Sequence, residues 1–129
     1  MSKNLVTPAE FFNPARQEAA LVLIACPGAE DLANKIDYHL VKWAKEVGME
    51  KETFLVDCAC PRFQNGDAKG LVKRSVRGDD IYLICDPGNY SLTYKLFSYE
   101  NHMSPDDHFA NLKRLIQAVA GRAHRMTVI

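Results

Sequence analysis

The chain carries no surplus of charge of either sign: sixteen Lys and Arg balance sixteen Asp and Glu. A neutral chain exerts no long-range pull on nucleic acid or an anionic membrane, so neither is expected as a partner and any anion site must be local. No apolar run approaches the roughly twenty residues that cross a bilayer. The opening MSKNLVTPAEFFNPARQEAA lacks the apolar middle of a secretory signal. There is no Gly-x-x-x-x-Gly-Lys-Ser/Thr run, which excludes a P-loop, and no Ser or Cys in a nucleophile context. His39, His102, His108 and His124 include no pair at metal spacing. The cysteines number four. Cys26, Cys58, Cys60 and Cys85 sit in or beside strand-like runs, not spread through loops as in a small secreted scaffold. Zinc sites show two separated pairs with two to four spacers, whereas Cys58-Ala59-Cys60 is one pair with a single spacer. These cysteines read as reduced, small hydrophobes of a cytoplasmic protein, and no metal ligand is assigned.

What is present is one domain's worth of alternating strand and helix. At 129 residues, 47% of them hydrophobic, the chain is long enough to bury a core. Residues 1–18 hold two prolines, the Phe11-Phe12 pair and no sustained period, so they read as an irregular arm whose phenylalanines dock on the domain or on a partner. The domain then runs over 19–129. Ala19–Cys26 is a continuous apolar run, the mark of a strand buried on both faces. Leu32, Ile36, Leu40, Trp43 and Val47 form one stripe and predict a helix over 29–47. Glu30 and Asp31 would repel an anion at its start, so this junction reads as structural and not as a phosphate site. Strands are predicted at 53–58, 68–74, 81–85 and 125–129. Ser104-Pro105-Asp106-Asp107 opens a last helix with the stripe Phe109, Leu112, Leu115, Ile116 and Val119. Residues 89–104 show no helical stripe and read as a long surface loop or a short irregular element, of a length that is often functional or interfacial. The alternation predicts a three-layer α/β domain with a mostly parallel sheet. An apolar strand with no polar tail at 129 predicts a piece of a larger protein.

The chemistry concentrates in Arg62–Asp86. Arg62-Phe63-Gln64-Asn65-Gly66-Asp67 offers an aromatic face, an amide, a carboxylate and a glycine break. Such groups suit a nucleobase: Phe63 to stack, Asn65 and Asp67 to bond an exocyclic amine. A surface turn with a half-buried Phe fits the same residues. Lys73-Arg74-Ser75-Val76-Arg77-Gly78 is a local positive cluster with a hydroxyl, fit for a phosphate. A solvated strand end, with Arg77 paired to Asp79 or Asp80, fits it equally.

Four ordered stretches carry a resemblance: Gly28–Ile36, Arg62–Asp67, Ser75–Ile84 (SVRGDDIYLI) and Asn111–Ala118 leading to Val128-Ile129. Together they resemble the amino-terminal half of ribose-phosphate diphosphokinase (phosphoribosyl pyrophosphate synthetase) over about residues 20 to 129. The resemblance implies a phosphoribosyltransferase-like domain. It implies a parent enzyme that makes phosphoribosyl pyrophosphate and AMP from ATP, Mg²⁺ and ribose 5-phosphate. It implies that Phe63, Asn65 and Asp67 hold the adenine of ATP and reach a neighbouring subunit of a homo-oligomer, with Asp67 one methylene shorter than the family's Glu. It implies that Ser75 and Arg77 line an inter-subunit phosphate or ADP site that regulates activity. The family's catalytic histidine, mobile basic loop and ribose-phosphate loop lie beyond residue 129, so this stretch alone is expected to be inactive. The 89–104 segment replaces a shorter turn in the family. Two other readings stay open: a non-catalytic homologue that regulates a true synthetase, and an unrelated nucleotide-binding or interaction module.

Overall fold

A computed structural model describes residues 5–129 of the chain. The elements run α1 (Pro8–Phe11), β1 (Leu21–Ala25), α2 (Glu30–Glu46), β2 (Cys58–Ala59), β3 (Leu71–Val72), β4 (Asp80–Ile84), β5 (Thr93–Leu96), β6 (Tyr99–His102), α3 (Pro105–Val119) and β7 (Arg125–Val128). Strands β1, β4 and β7 form a parallel sheet with β4 in the middle. The expected strand at 53–58 is shorter than its sequence signal. Its central residue makes a single parallel bridge, Leu55 to Leu23, and two backbone bonds join Leu23 to Phe54 and Val56. It adds a fourth position beside β1.

Two cores lie on opposite faces of the sheet, as the period of two in a strand requires. Val22, Ile24, Ile81 and Leu83 meet Leu112, Leu115 and Val119 of α3. Leu23 and Ile84 meet Ala33 and Ala44 of α2, together with Phe12 and Phe54. Helix, sheet and helix make the three layers predicted from the sequence.

On α2 the middle of the expected stripe holds, with Ile36, Leu40 and Trp43 packed against this second core, and its ends do not. Leu32 and Val47 are exposed, and the buried positions are Ala33 and Ala44. Alanine brings the helix axis closer to the sheet than leucine would, so the small residues take the centre of the contact. Asp37 on this helix accepts from the Phe54 amide at 2.6 Å and the Thr53 hydroxyl at 2.7 Å. It thereby anchors the short outer strand. On α3, Phe109 is exposed where it was expected inside, while His108 and Asn111 are buried. Both polar groups are satisfied, His108 by the Asn89 carbonyl at 2.6 Å and Asn111 by Arg114 at 3.0 Å. Burial of a paired polar group carries little penalty. Ser104 and Asp107 cap α3 reciprocally and Pro105 starts it, as predicted.

Two further expectations change. The arm holds one helical turn, α1, with a Thr7–Glu10 capping box. Phe12 stacks on Phe54 at 5.7 Å between ring centres, and Phe11 meets Trp43 edge-on at 5.9 Å. Residues 89–104 are not an irregular loop, because β5 and β6 pair antiparallel from Thr93/His102 to Leu96/Tyr99. The turn is Phe97-Ser98, both with positive φ, 49° and 72°. That turn geometry ordinarily recruits Asn and Gly. Their absence hid the hairpin in the sequence.

Candidate functional site

The Arg62–Asp67 stretch is the tip of a long antiparallel hairpin. Its rungs run from Lys73–Asp57 through Val72/Cys58 and Leu71/Ala59 to Lys69–Pro61 and the Arg62/Ala68 bridge. Each rung fixes the next, so the tip is carried on a ladder and not on a slack loop. At the tip the Phe63 amide donates to the Asp67 carbonyl at 2.6 Å and the Gly66 amide donates back to Phe63 at 3.0 Å. Gly66 has φ 89°, the left-handed step that closes such a turn.

Each tip residue is tied differently. Phe63 is 49% exposed, with its ring free of any aromatic partner among the described residues. Asn65 accepts the Asp67 amide through Oδ1 at 3.0 Å, and its NH₂ makes no hydrogen bond among the described residues. Asp67 Oδ1 takes both the Ala68 amide at 2.8 Å and Arg114 Nη2 at 2.9 Å. Those bonds, the backbone one first, hold its carboxyl below the usual carboxylate range. Its other oxygen makes no hydrogen bond among the described residues. The tip therefore presents one aromatic face, one amide donor and one charged acceptor, all on braced backbone.

Ser75 and Arg77 lie elsewhere. They follow the hairpin's return strand, roughly 25–35 Å along the chain from Asp67 at the usual rise per residue. The structure does not bring the two sets together within one chain. Ser75 Oγ lies 3.5 Å from the Arg77 amide, and both residues are exposed. The pairing of Arg77 with Asp79 or Asp80, left open above, is not seen. Asp79 pairs with Arg74 at 3.7 Å and Asp80 with Arg125 at 2.6 Å. Among the described residues Arg77 has no ion-pair partner.

The sheet's topological switch point lies at the carboxyl ends of β1 and β4, the usual ligand crevice of an open α/β sheet. Here it is packed. Asn89 Nδ2 donates to the Gly28 carbonyl at 2.8 Å, and His108 holds Asn89 from above. At the start of α2 the Glu30 carboxylate accepts the Gly28 amide at 2.8 Å, so a resident anion already occupies that helix end. The four cysteines gather below. Cys58 Sγ donates to the Ala25 carbonyl at 2.9 Å, and all four are free thiols. No group of three or more His, Cys, Asp or Glu among the described residues could hold a metal ion.

A model of the N-terminal domain of ribose phosphate pyrophosphokinase matches residues 21–129. The chain belongs to this family. No curated protein matches the chain. The pyrophosphokinase domain's matched span begins at β1 and covers both hairpins. Among the described residues no helix is long and apolar enough to cross a membrane.

The thiols give this domain a pH signature. Burial pushes all four thiols up, Cys58 to about 11, where its neighbour Cys60 adds to the effect. The thiolate is the reactive form, so roughly one Cys58 in a thousand is reactive at pH 8. Native protein is expected to react slowly with iodoacetamide at pH 8, faster by about tenfold per pH unit above that, and completely once unfolded in guanidinium. Rapid labelling of the native domain at pH 8 would contradict the packing described.

Proposed function

We propose that the chain supplies the nucleobase-holding part of an active ribose-phosphate pyrophosphokinase. That enzyme moves the β,γ-diphosphoryl group of ATP to the 1-hydroxyl of ribose 5-phosphate, giving phosphoribosyl pyrophosphate and AMP in the cytoplasm. The observation that carries this reading is the braced hairpin tip with its unused groups. Phe63 stacks on adenine, the Asn65 NH₂ donates to a ring nitrogen, and Asp67 Oδ2 accepts the exocyclic amine. Adenine is preferred because a free donor beside a free acceptor complements its ring nitrogen and amine. Mg²⁺ enters with ATP. The described residues offer no cluster that fits it, so its protein ligands are assigned to the enzyme's other parts. The catalytic histidine, the ribose-phosphate loop and the homo-oligomeric contacts are assigned there as well. Arm 1–18 and domain 19–129 are inactive without them.

The test uses the complete enzyme that carries this domain. AMP release from ATP and Mg²⁺ that depends strictly on ribose 5-phosphate supports the assignment. No AMP from folded enzyme would move it to the non-catalytic regulator.

Ser75 and Arg77 we assign to phosphate or ADP regulation. An exposed guanidinium with no acidic partner among the described residues, two residues from an exposed hydroxyl, suits an oxyanion. Arg77→Ala is expected to remove the response of the rate to inorganic phosphate and ADP while the rate without either stays within about twofold of wild type. An unaltered phosphate response in that variant would remove the regulatory role.

A further inference from the structure

The β5–β6 hairpin has two unlike faces. Tyr94, Leu96, Tyr99 and Asn101 share one, and Thr93, Lys95, Glu100 and His102 share the other. The first face meets the tip of the long hairpin. The Arg62 guanidinium carbon lies 3.8 Å from the centre of the Tyr94 ring, close enough for a cation–π stack. Arg62 Nη1 donates to the Gly66 carbonyl at 2.8 Å, which spans the tip from one side to the other. Leu96 packs against Gly66, where an added Cβ would stand 3.7 Å from its Cδ1. On the second face Tyr90 stacks on His102 at 4.4 Å, away from the tip.

We propose that Tyr94 is a positioning residue for the nucleobase site. Its ring holds the Arg62 guanidinium, Arg62 clasps the Gly66 carbonyl, and Phe63, enclosed between those two residues in the chain, is set for stacking. This rests on the adenine-holding reading of the tip and assigns it a second supporting wall. The ring does the work and the hydroxyl does not, because no hydrogen bond from the Tyr94 hydroxyl is present among the described residues. A leucine at 94 leaves Arg62 free to swing out. The tip then samples many conformations, and ligand binding must select one of them.

The experiment measures ATP binding by calorimetry, with Mg²⁺ and without ribose 5-phosphate, on the complete enzyme carrying this domain, and steady-state AMP release beside it. Tyr94→Leu is expected to weaken ATP binding and raise the KM for ATP by about fivefold to tenfold, with kcat and the KM for ribose 5-phosphate unchanged. Tyr94→Phe is expected to match wild type, and so is Lys95→Ala on the opposite face. If Tyr94→Leu does not fold, Arg62→Gln removes the same link from the tip side and is read the same way. Unchanged ATP binding in folded Tyr94→Leu, where Phe63→Ala weakens it, overturns this inference and leaves the tip reading intact. A loss in Tyr94→Phe equal to that in Tyr94→Leu, or a matching fall in kcat, overturns it too. Phe63→Ala without effect on ATP binding overturns both readings.

Discussion

Gly70→Ala is expected to lower the thermal midpoint by roughly 10 °C, the largest stability loss foreseen for any single methyl group added to this domain. A Cβ built at Gly70 would lie 2.5 Å from the Arg114 carbonyl oxygen and 2.7 Å from its carbon. Those atoms belong to the backbone of α3, which is capped at its start and buried along one face, so neither side can yield cheaply. Overpacking of this kind costs about 3 kcal/mol when the opposing atoms are fixed. The lost contact also has a functional address. Gly70 sits three residues beyond Asp67 on the return strand, and Arg114 is the residue that ties Asp67 to α3. Lifting the strand from the helix pulls that tie apart, so ATP binding should weaken in the same variant. Calorimetric unfolding and ATP titration together check it. A Gly70→Ala domain with an unaltered midpoint would mean that the hairpin does not lie on α3 as described.

Phe63→Ala is the complementary case, large in function and small in stability. Stacking of a base on an aromatic ring contributes about 1–3 kcal/mol. Its removal should weaken ATP binding by roughly fivefold to a hundredfold. The ring is half exposed, so its loss should change folding stability by no more than about 0.5 kcal/mol. If the stack is equally strong in the ground and transition states, the effect falls on KM for ATP and not on kcat. Phe63 is a cleaner probe than Asp67, whose truncation would also break the bond to Arg114 and the local bond to Ala68. ATP binding unchanged in a folded Phe63→Ala enzyme would return the tip to the status of a surface turn.

The parallel sheet and both long helices were legible because their signals are strong and local. Val22-Leu23-Ile24 and Ile81–Ile84 are apolar on both faces, and Ser104-Pro105 starts a helix by its own chemistry. The helix faces were less legible. Hydrophobicity favoured Leu32 and Phe109, but packing buried Ala33 against the sheet and His108 against the Asn89 carbonyl, and those choices depend on partners distant in the chain. The hairpin at 93–102 escaped because its turn uses Phe97 and Ser98 in a backbone region where Asn and Gly are the usual cue. For the candidate site, the sequence pointed to the groups Phe63, Asn65 and Asp67 but not to their bracing. Arg62 over Tyr94 and Asp67 on Arg114 are pairings across 32 and 47 residues, and no local pattern announces them. That Arg77 has no ion-pair partner among the described residues was equally hidden. It follows from Arg74 and Arg125 having taken the two neighbouring acids.

The bond from Asp67 to Arg114, 47 residues apart, also orders events in time. On the ribosome the tip emerges well before the helix that fastens it. At ordinary elongation rates that delay is roughly two to nine seconds. Throughout it the hairpin lacks Gly70's helix to lie on, and for the first part of it Tyr94's ring as well. On the nucleobase-holding role proposed for the tip, a nascent chain would carry its aromatic residue early and its finished binding surface late, so recognition of ATP would wait for translation to pass α3.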